Sequence, residues 1–456
     1  MADKGKKQVG KFTLDSFMIS NYERTKNIEI RPLVHIFNIE ESMLNNSVRG
    51  SVTVYDGLNI LKSFPFIGEE FIEITYTDYF EIKRTDTFFV YSITDVRYSK
   101  EADVSIVEYV MHFVSVPKVY SDNRYIAKTY KSIKDVNQGL ISDYVEETYK
   151  EYFKNPVDRS NKKIKTKEIV VEKTDGVQKY VIPNYSPEET MNFFSRHAFT
   201  NSSDSNSWRF FENREKYYFA TYEYMETLAK NNVGYGANQI DPKLAAAANR
   251  KETPIPIFRK SDEPDLTPER QHELMHEFVS IDFSYRVNTI DDINSGSYNR
   301  ITYEIDVMNG TVSASEYNHR DKYKEKKLKL IHTDKFLDDM VTYKARNYVM
   351  KDYAAPGATS GYELRNFPYY TELYNAKSSY FYHYERNKVP ATIYGRNSIY
   401  AGSIIDVELF ETGSKTDKRK IDEEKSGRYI IESVNNIFYE DDYTQEIILT
   451  RSGIGA

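Results

Sequence analysis

Cysteine is absent from the 456 residues, so neither a disulfide framework nor a thiolate metal site can form. That absence fits folding in a reducing cytoplasm. No run of about 18 apolar residues occurs, so membrane insertion by a helix is not expected. A basic excess is missing too. The 62 Lys+Arg against 69 Asp+Glu leave a net charge of −7, which argues against wrapping a duplex and against sequence-specific nucleic-acid binding. The N-terminal MADKGKKQVGK is basic but has no apolar h-region, so residues 1–11 read as a solvated tail and not a secretory signal. Tryptophan occurs once, whereas tyrosine occurs 40 times. A large ring with a polar tip suits wet strand faces and protein interfaces, and it equally suits plain β propensity. The length allows roughly three domains.

Alternation over β-branched and aromatic residues marks the half-buried strand. From Ile28 to Asp78 it appears three times. Ile28, Ile30, Val34 and Ile36 share one face, then Val52 and Val54, then Ile72, Ile74 and Tyr76. The connection after Asp56-Gly57 crosses with Leu58, Leu61 and Phe66 before Pro65 and Gly68 reset the chain. A fourth strand is predicted over Thr87–Val96, with Phe89, Tyr91 and Ile93 together. A fifth, Val104–Val116, carries Val107, Tyr109, Met111 and Phe113 on one face and further apolar residues on the other. A strand apolar on both faces needs cover from a helix or a neighbouring subunit, so these four are candidate interface residues, joined by Tyr429 and Tyr443 near the C-terminus. His112 reads as a satisfied core or interface histidine.

From Ser121 the pattern turns helical. Ser132 and Asp135 resemble a capping box ahead of Ile133, Val136, Leu140, Tyr144, Val145 and Tyr149 at three-and-four spacing. The basic loop NPVDRSNKKIKTKE has no interleaved aromatics and reads as solvated. A second helix starts at Ser186-Pro187 with Glu189 closing a capping box, and buries Met191, Phe194 and Ala198. An aromatic hairpin follows, turning at Asn213-Arg214-Glu215. Met225–Glu273 reads as a long connection, and Thr311–Tyr382 as polar and Tyr-rich with a surface loop at Pro356-Gly357 and Gly361. The last unit alternates through Ile405, Val407 and Leu409, then pairs Arg428–Phe438 with Tyr443–Thr450.

One enzyme motif stands out: His272-Glu273-Leu274-Met275-His276. On a helix His272 and His276 could hold zinc while Glu273 polarises a water, the chemistry of a zinc-dependent hydrolase or tail lysin. The helix is short, the chain switches to a strand at Phe278, and neither His319 nor His332 lies in a third-ligand motif. The preferred reading therefore has no catalytic residue, no metal and no cofactor. A carbohydrate-binding module is a third reading, resting on the tyrosines.

Several of these stretches together resemble the central hub proteins of contractile-tailed phage baseplates, relatives of type VI secretion spike-hub proteins. The residues are Glu41-Ser42, Gly50, Asp56 and Pro65 through Glu70; then Phe210-Phe211-Glu212 and Tyr217-Tyr218-Phe219; then Gly296, Tyr298 and Asp306; and finally Gly402, Ser426-Gly427-Arg428-Tyr429 and Arg451. The resemblance implies a β-dominated α+β fold with two similar antiparallel β-barrels and an inserted α+β region. The barrels fall at 12–120, facing the tube, and at 388–456. The helix–hairpin insert is 121–225, a linker 226–275, and a hairpin plus Tyr-rich region 276–387. Either Trp208–Tyr222 or Phe278–Val307 would complete the second barrel. It also implies a homotrimer in the virion tail baseplate, assembled in the host cytoplasm. Its partners would be the tail tube protein and the central spike protein, with tape-measure and baseplate wedge proteins as further contacts.

Overall fold

A computed structural model describes residues 8–64, 66–101, 104–130, 139–154, 167–176, 180–230, 271, 274–283, 299–307, 309–319, 321, 345–350, 370–407, 409 and 421–451. The fold is β-dominated α+β, mostly antiparallel.

The first seven strands are β1 (Thr13–Ser20), β2 (Asn27–Glu29), β3 (Val34–Ser42), β4 (Arg49–Asp56), β5 (Phe71–Thr77), β6 (Lys83–Glu101) and β7 (Val104–Ser115). The predicted alternation holds in β4, β5 and β7, where Val52, Val54, Ile72, Ile74, Tyr76, Tyr109, Met111 and Phe113 are buried. It shifts elsewhere, for local reasons. Pro32 sits in a 3-10 turn, Arg31–Leu33, so Ile28–Ile36 is not one strand. A register shift between Val34 and Ile36 then turns Phe37 and Ile39 inward. In β6 a bulge between Val90 and Ser92 follows buried Phe88 and Val90, and Tyr91 is left 54% exposed. The crossing after β4 forms a short helix, α1 (Ile60–Ser63), burying Ile60 and Phe64 and leaving Leu58 outside.

The inserted region contains α2 (Val116–Asp122), β8 (Ile126–Tyr130), α3 (Ile141–Thr148), β9 (Glu168–Val171), β10 (Tyr180–Tyr185), α4 (Pro187–His197), β11 (Trp208–Glu212), β12 (Lys216–Thr221) and α5 (Tyr222–Lys230). α3 starts at Ile141, with the extended Leu140 as its N-cap; Ser132 and Asp135 lie outside the described residues. α4 follows expectation. The Ser186 hydroxyl accepts from Glu189 N at 3.2 Å, and Glu189 accepts from Ser186 N at 2.7 Å. Met191 and Phe194 join Tyr130, Tyr144, Trp208 and Phe219 in one core.

The remaining strands are β13 (Phe278–Ile281), β14 (Asn299–Asp306), β15 (Thr311–Asn318), β16 (Ala345–Met350), β17 (Val389–Tyr394), β18 (Ile404–Val407), β19 (Gly427–Tyr439) and β20 (Asp442–Thr450), with α6 (Tyr370–Arg386) before β17. The polar, Tyr-rich stretch Thr311–Tyr382 contains β15, β16 and the first part of α6. β14, β15 and β16 form a sheet, and α6 packs on it, with Thr302 and Asn375 bonded at 2.6 Å. Pro356, Gly357, Gly361, Gly296 and Tyr298 lie outside the described residues.

The two segments expected as separate barrels are one sheet. Its order is β13-β17-β20-β19-β3-β4-β7-β6-β5-β1-β2, with β18 on β19. β3 and β19 pair directly, from Ser42–Ser433 to Ile36–Tyr439. β13 pairs with β17, so Phe278–Ile281 completes the C-terminal lobe and Trp208–Tyr222 does not. The sheet curls hard. Six strand spacings separate β20 from β5, roughly 29 Å if flat, yet the Tyr76 and Tyr443 rings lie 6.3 Å apart. Closure comes from residues ahead of β1: Tyr443 N donates to Gly10 O at 2.7 Å and Phe12 N to Asp441 O at 3.0 Å. Hence Phe438 and Tyr443 belong to the core of the N-terminal lobe. The rest of the β19–β20 hairpin, with Tyr429, Ile431, Val434, Ile447 and Leu449, forms the core of the C-terminal lobe.

Candidate assembly surface and its buried keystone

The tip of the β11–β12 hairpin locks the insert onto both lobes. Asn213 shapes the turn: its Oδ1 accepts from Glu215 N at 2.9 Å and Lys216 N at 2.8 Å. Each residue of the tip then docks differently. Glu212 accepts from Val48 N at 3.2 Å, Ser115 Oγ at 2.8 Å and Lys167 Nζ at 2.7 Å. Asn213 Nδ2 donates to Ala401 O at 2.9 Å. Arg214 donates from Nε to Glu41 Oε1 at 2.9 Å, from Nη1 to Tyr76 OH at 2.9 Å and from Nη2 to Ile399 O at 2.8 Å. The Arg214 backbone N–H donates to the other Glu41 oxygen at 2.8 Å. Glu215 pairs with Arg84. Arg214 and Glu41 are both fully buried at the side chain, at 0% exposure.

A buried ion pair persists only when its geometry satisfies both charges, and here it does. Burial opposes the charge on Arg214, but Tyr76, Tyr443, Glu41 and Asp86 outweigh it and hold the guanidinium well above its ordinary value. Burial likewise pushes Asp86 up, and Arg84 with Arg214 overcomes that, so its carboxyl sits below its ordinary value. The Tyr76 phenol is pushed well up by burial. Glu432, buried beneath Tyr222, is raised by burial although Lys388 lies 2.8 Å away. Sequence reading found the turn but not this role. The only signal was a charged Asn-Arg-Glu tip between aromatic strands, which a solvated turn would share.

The residues named from sequence as an interface sit elsewhere than expected. Val107, Tyr109, Met111 and Phe113 line the core of the N-terminal lobe, three of them at 0% exposure. Tyr443 and Tyr429 are buried as well, their hydroxyls bonded to Asn436 Oδ1 at 2.8 Å and Lys425 O at 2.7 Å. The barrel itself supplies the cover that the apolar face of β7 requires. The opposite face of β7, with Ile106, Val110, His112 and Val114, is half-buried, and His112 bonds Thr94 at 2.9 Å.

Among the described residues, the outer wall of the sheet is open to a partner. A row of rings crosses three strands there. His35 lies 4.9 Å from Tyr55 and 5.0 Å from Tyr439, and both tyrosines are about two-fifths exposed. Beyond it the β6–β7 hairpin projects as an arm. β5 pairs with β6 only as far as Phe89, whereas β7 pairs on to Glu101. Among the described residues no other strand meets the edge of β6 from Ser92 onward. Tyr98 on this arm is 80% exposed. A second bulge, between Thr94 and Arg97, and the exposed Asp95 and Arg97 roughen the edge against indiscriminate strand pairing.

Of the HExxH residues, His272 and Glu273 lie outside the described residues. Leu274 and Met275 are buried, and the His276 ring lies edge-on to Phe80 at 6.4 Å. His319, considered as a third ligand, instead stacks on His383 at 4.0 Å and accepts or donates at Nδ1 to Tyr317 at 3.1 Å. Among the described residues no group of three metal-ligating side chains comes together.

No family model matches the sequence, and no curated protein matches it. Solved structures do. The 43 kDa tail protein of prophage MuSo2 from Shewanella oneidensis superposes with a TM-score of 0.50 at 8% identity, over 96% of this chain and 98% of that one. A tail protein from Neisseria meningitidis gives 0.48 at 9% identity, over 96% and 98%. An Escherichia coli type VI secretion component gives 0.39 at 9% identity, over 96% and 76%. Only the first superposition is close enough to carry weight, and at that identity it speaks to fold. The chain therefore has the fold of a phage tail protein, and the baseplate-hub resemblance seen in its motifs is met at the level of that fold.

Proposed function

We propose that this chain is the structural hub of a contractile phage baseplate, a homotrimer that joins a six-fold tail tube to a three-fold central spike. In the family it resembles, tube rings have six subunits and spikes three, so one symmetry must be converted to the other. Two barrel-like lobes per chain would let three chains present six similar edges in one ring. The observation that carries this reading is the single curled sheet, in which two lobes share the β19–β20 hairpin. The exposed ring row and the β6–β7 arm supply surface for the tube or for neighbouring copies. A stable contact there would bury at least about 1,000 Å².

The protein carries no catalytic role in this reading. Its place is the virion tail, with tube, spike, tape-measure and wedge proteins as neighbours. Light scattering at tens of micromolar should give three times the chain mass, and particle images should show the lobes alternating at one radius. A monomer throughout that range, or lobes at two different radii, would remove the adapter mechanism.

A further inference from the structure

Arg396 lies in the loop after β17, and its residue is 9% exposed. The loop is pinned on every side. Arg396 N donates to Gln445 Oε1 at 3.0 Å, and Arg396 O accepts from Gln445 Nε2 at 3.0 Å. Asn397 N donates to Asp78 Oδ2 at 2.9 Å, and Asn397 Nδ2 to Ile82 O at 2.7 Å. The guanidinium is thus held in place by its own backbone, with its carbon 5.5 Å from the centre of the Phe80 ring.

Yet this guanidinium makes no hydrogen bond or ion pair to the chain, and its buried Nε has no acceptor. Asp78 is the carboxylate that acts on it, and only through space. Both Asp78 oxygens are already taken, by Asn397 N and by Ile82 N at 2.9 Å. Next to the orphaned donor, Asn397 Oδ1 is an orphaned acceptor. An arginine keeps its charge in a protein, and its planar fork is shaped for a carboxylate. Such a group left buried without an acceptor calls for a physical reason, and a carboxylate from outside the chain would supply one.

The same chain carries exposed carboxylates outside any hydrogen bond or ion pair, with Lys11 as a cation acting on them through space. The β19–β20 turn presents Glu440, Asp441 and Asp442 in sequence, all exposed. Asp442 pairs with Lys11 at 2.9 Å, whereas the carboxylates of Glu440 and Asp441 make no hydrogen bond or ion pair. We propose that Arg396 is a docking socket for a carboxylate of a second copy of this chain, supplied by the Glu440–Asp441 turn. This rests on the homotrimer reading and names a contact that would build it.

The experiment compares self-association by light scattering with melting of dilute protein, for wild type, Arg396→Met, the double variant Glu440→Lys with Asp441→Lys, and the swap Arg396→Glu with Asp441→Lys. Arg396→Met should weaken association at least tenfold without lowering the dilute melting point, because a buried unpaired charge is lost. The exposed turn variant should weaken association as much, and it keeps the test intact if the Arg396 variant fails to fold. The swap should recover at least part of the loss. A trimeric wild type whose turn variant associates normally would overturn the socket and leave the trimer standing. A monomeric wild type would overturn both.

Discussion

Replacing Arg214 by methionine tests the keystone directly. The side chain has similar length, so little volume changes, but three hydrogen bonds vanish: to Glu41, Tyr76 and Ile399 O. Their loss is unequal. Tyr76 still reaches Asp86 at 3.2 Å, and Ile399 O still accepts from Gln445 at 3.3 Å. Glu41 keeps only the backbone N–H of residue 214, so a buried carboxylate loses its countercharge. Breaking one partner of a buried pair costs about 3–5 kcal/mol, a large share of a domain's stability. Changing both, Glu41→Leu with Arg214→Met, removes the stranded charge and should restore at least about half of that. The single tryptophan reports on the same hairpin. Trp208 is 1% exposed and packs 5.0 Å from Phe219 in the core of the insert, so its emission in urea follows unfolding of the insert. A single variant within about 1 kcal/mol of wild type, or a double variant no better than the single, would refute the keystone.

Glu172 is buried, accepts from Thr221 N at 2.7 Å, and burial raises its carboxyl to about 7. An acid raised on folding favours the protonated native state, so stability should fall as pH climbs from about 4.5 to 7, by up to about 3 kcal/mol. Glu172→Gln should flatten that slope, and parallel melting curves for the two proteins between pH 5 and 8 would contradict it. Gly50→Ala should destabilise by at least about 2 kcal/mol, since a Cβ there would lie 2.1 Å from Asn38 O and 2.5 Å from the Phe113 ring. A melting point unchanged by Gly50→Ala would mean that β3 and β7 can give way. Ile447→Asp should unfold the C-terminal lobe, because an unpaired carboxylate among Val434, Tyr429 and Leu449 costs several kcal/mol. Retained near-ultraviolet circular dichroism would show that the inward face is wrongly assigned.

Much of the motif content turns out to be backbone satisfaction, which is why single residues could be read. Asp56 accepts from Leu58 N at 2.9 Å and Leu61 N at 3.2 Å, holding the start of the crossing. Glu70 accepts from Ile67 N at 2.7 Å and Gly68 N at 3.0 Å, and Gly68 needs its φ of 82°. Ser426 bonds Leu409 N at 2.8 Å, and Arg451 stacks 4.5 Å over Tyr429 while donating to Ser426 O at 3.0 Å. These are local arrangements, and local arrangements leave a local pattern. Arg214 left none, because its partners Glu41, Tyr76 and Ile399 lie more than a hundred residues away. Faces were misread wherever a bulge intervened, at His35 and after Val90, since one extra residue exchanges the inward and outward sets.

The shared hairpin fits the adapter role proposed above. β19 has 13 residues, an extended length of about 40 Å. Its end near Phe438 packs with Phe37 and Tyr76 in one lobe, while Ile431 and Val434 pack in the other. A chain that supplies two stations of a six-fold ring must keep them at a constant separation, because any hinge between lobes would let the six edges drift from equal spacing. Two barrels tied by a linker would have that hinge. Strands that run unbroken from one core into the next do not, since bending them would break ladder hydrogen bonds in both lobes at once. The insert reinforces the same joint. Arg214 reaches Glu41 and Tyr76 in one lobe and Ile399 beside the other, so its docking energy is available only when the two lobes hold their observed arrangement.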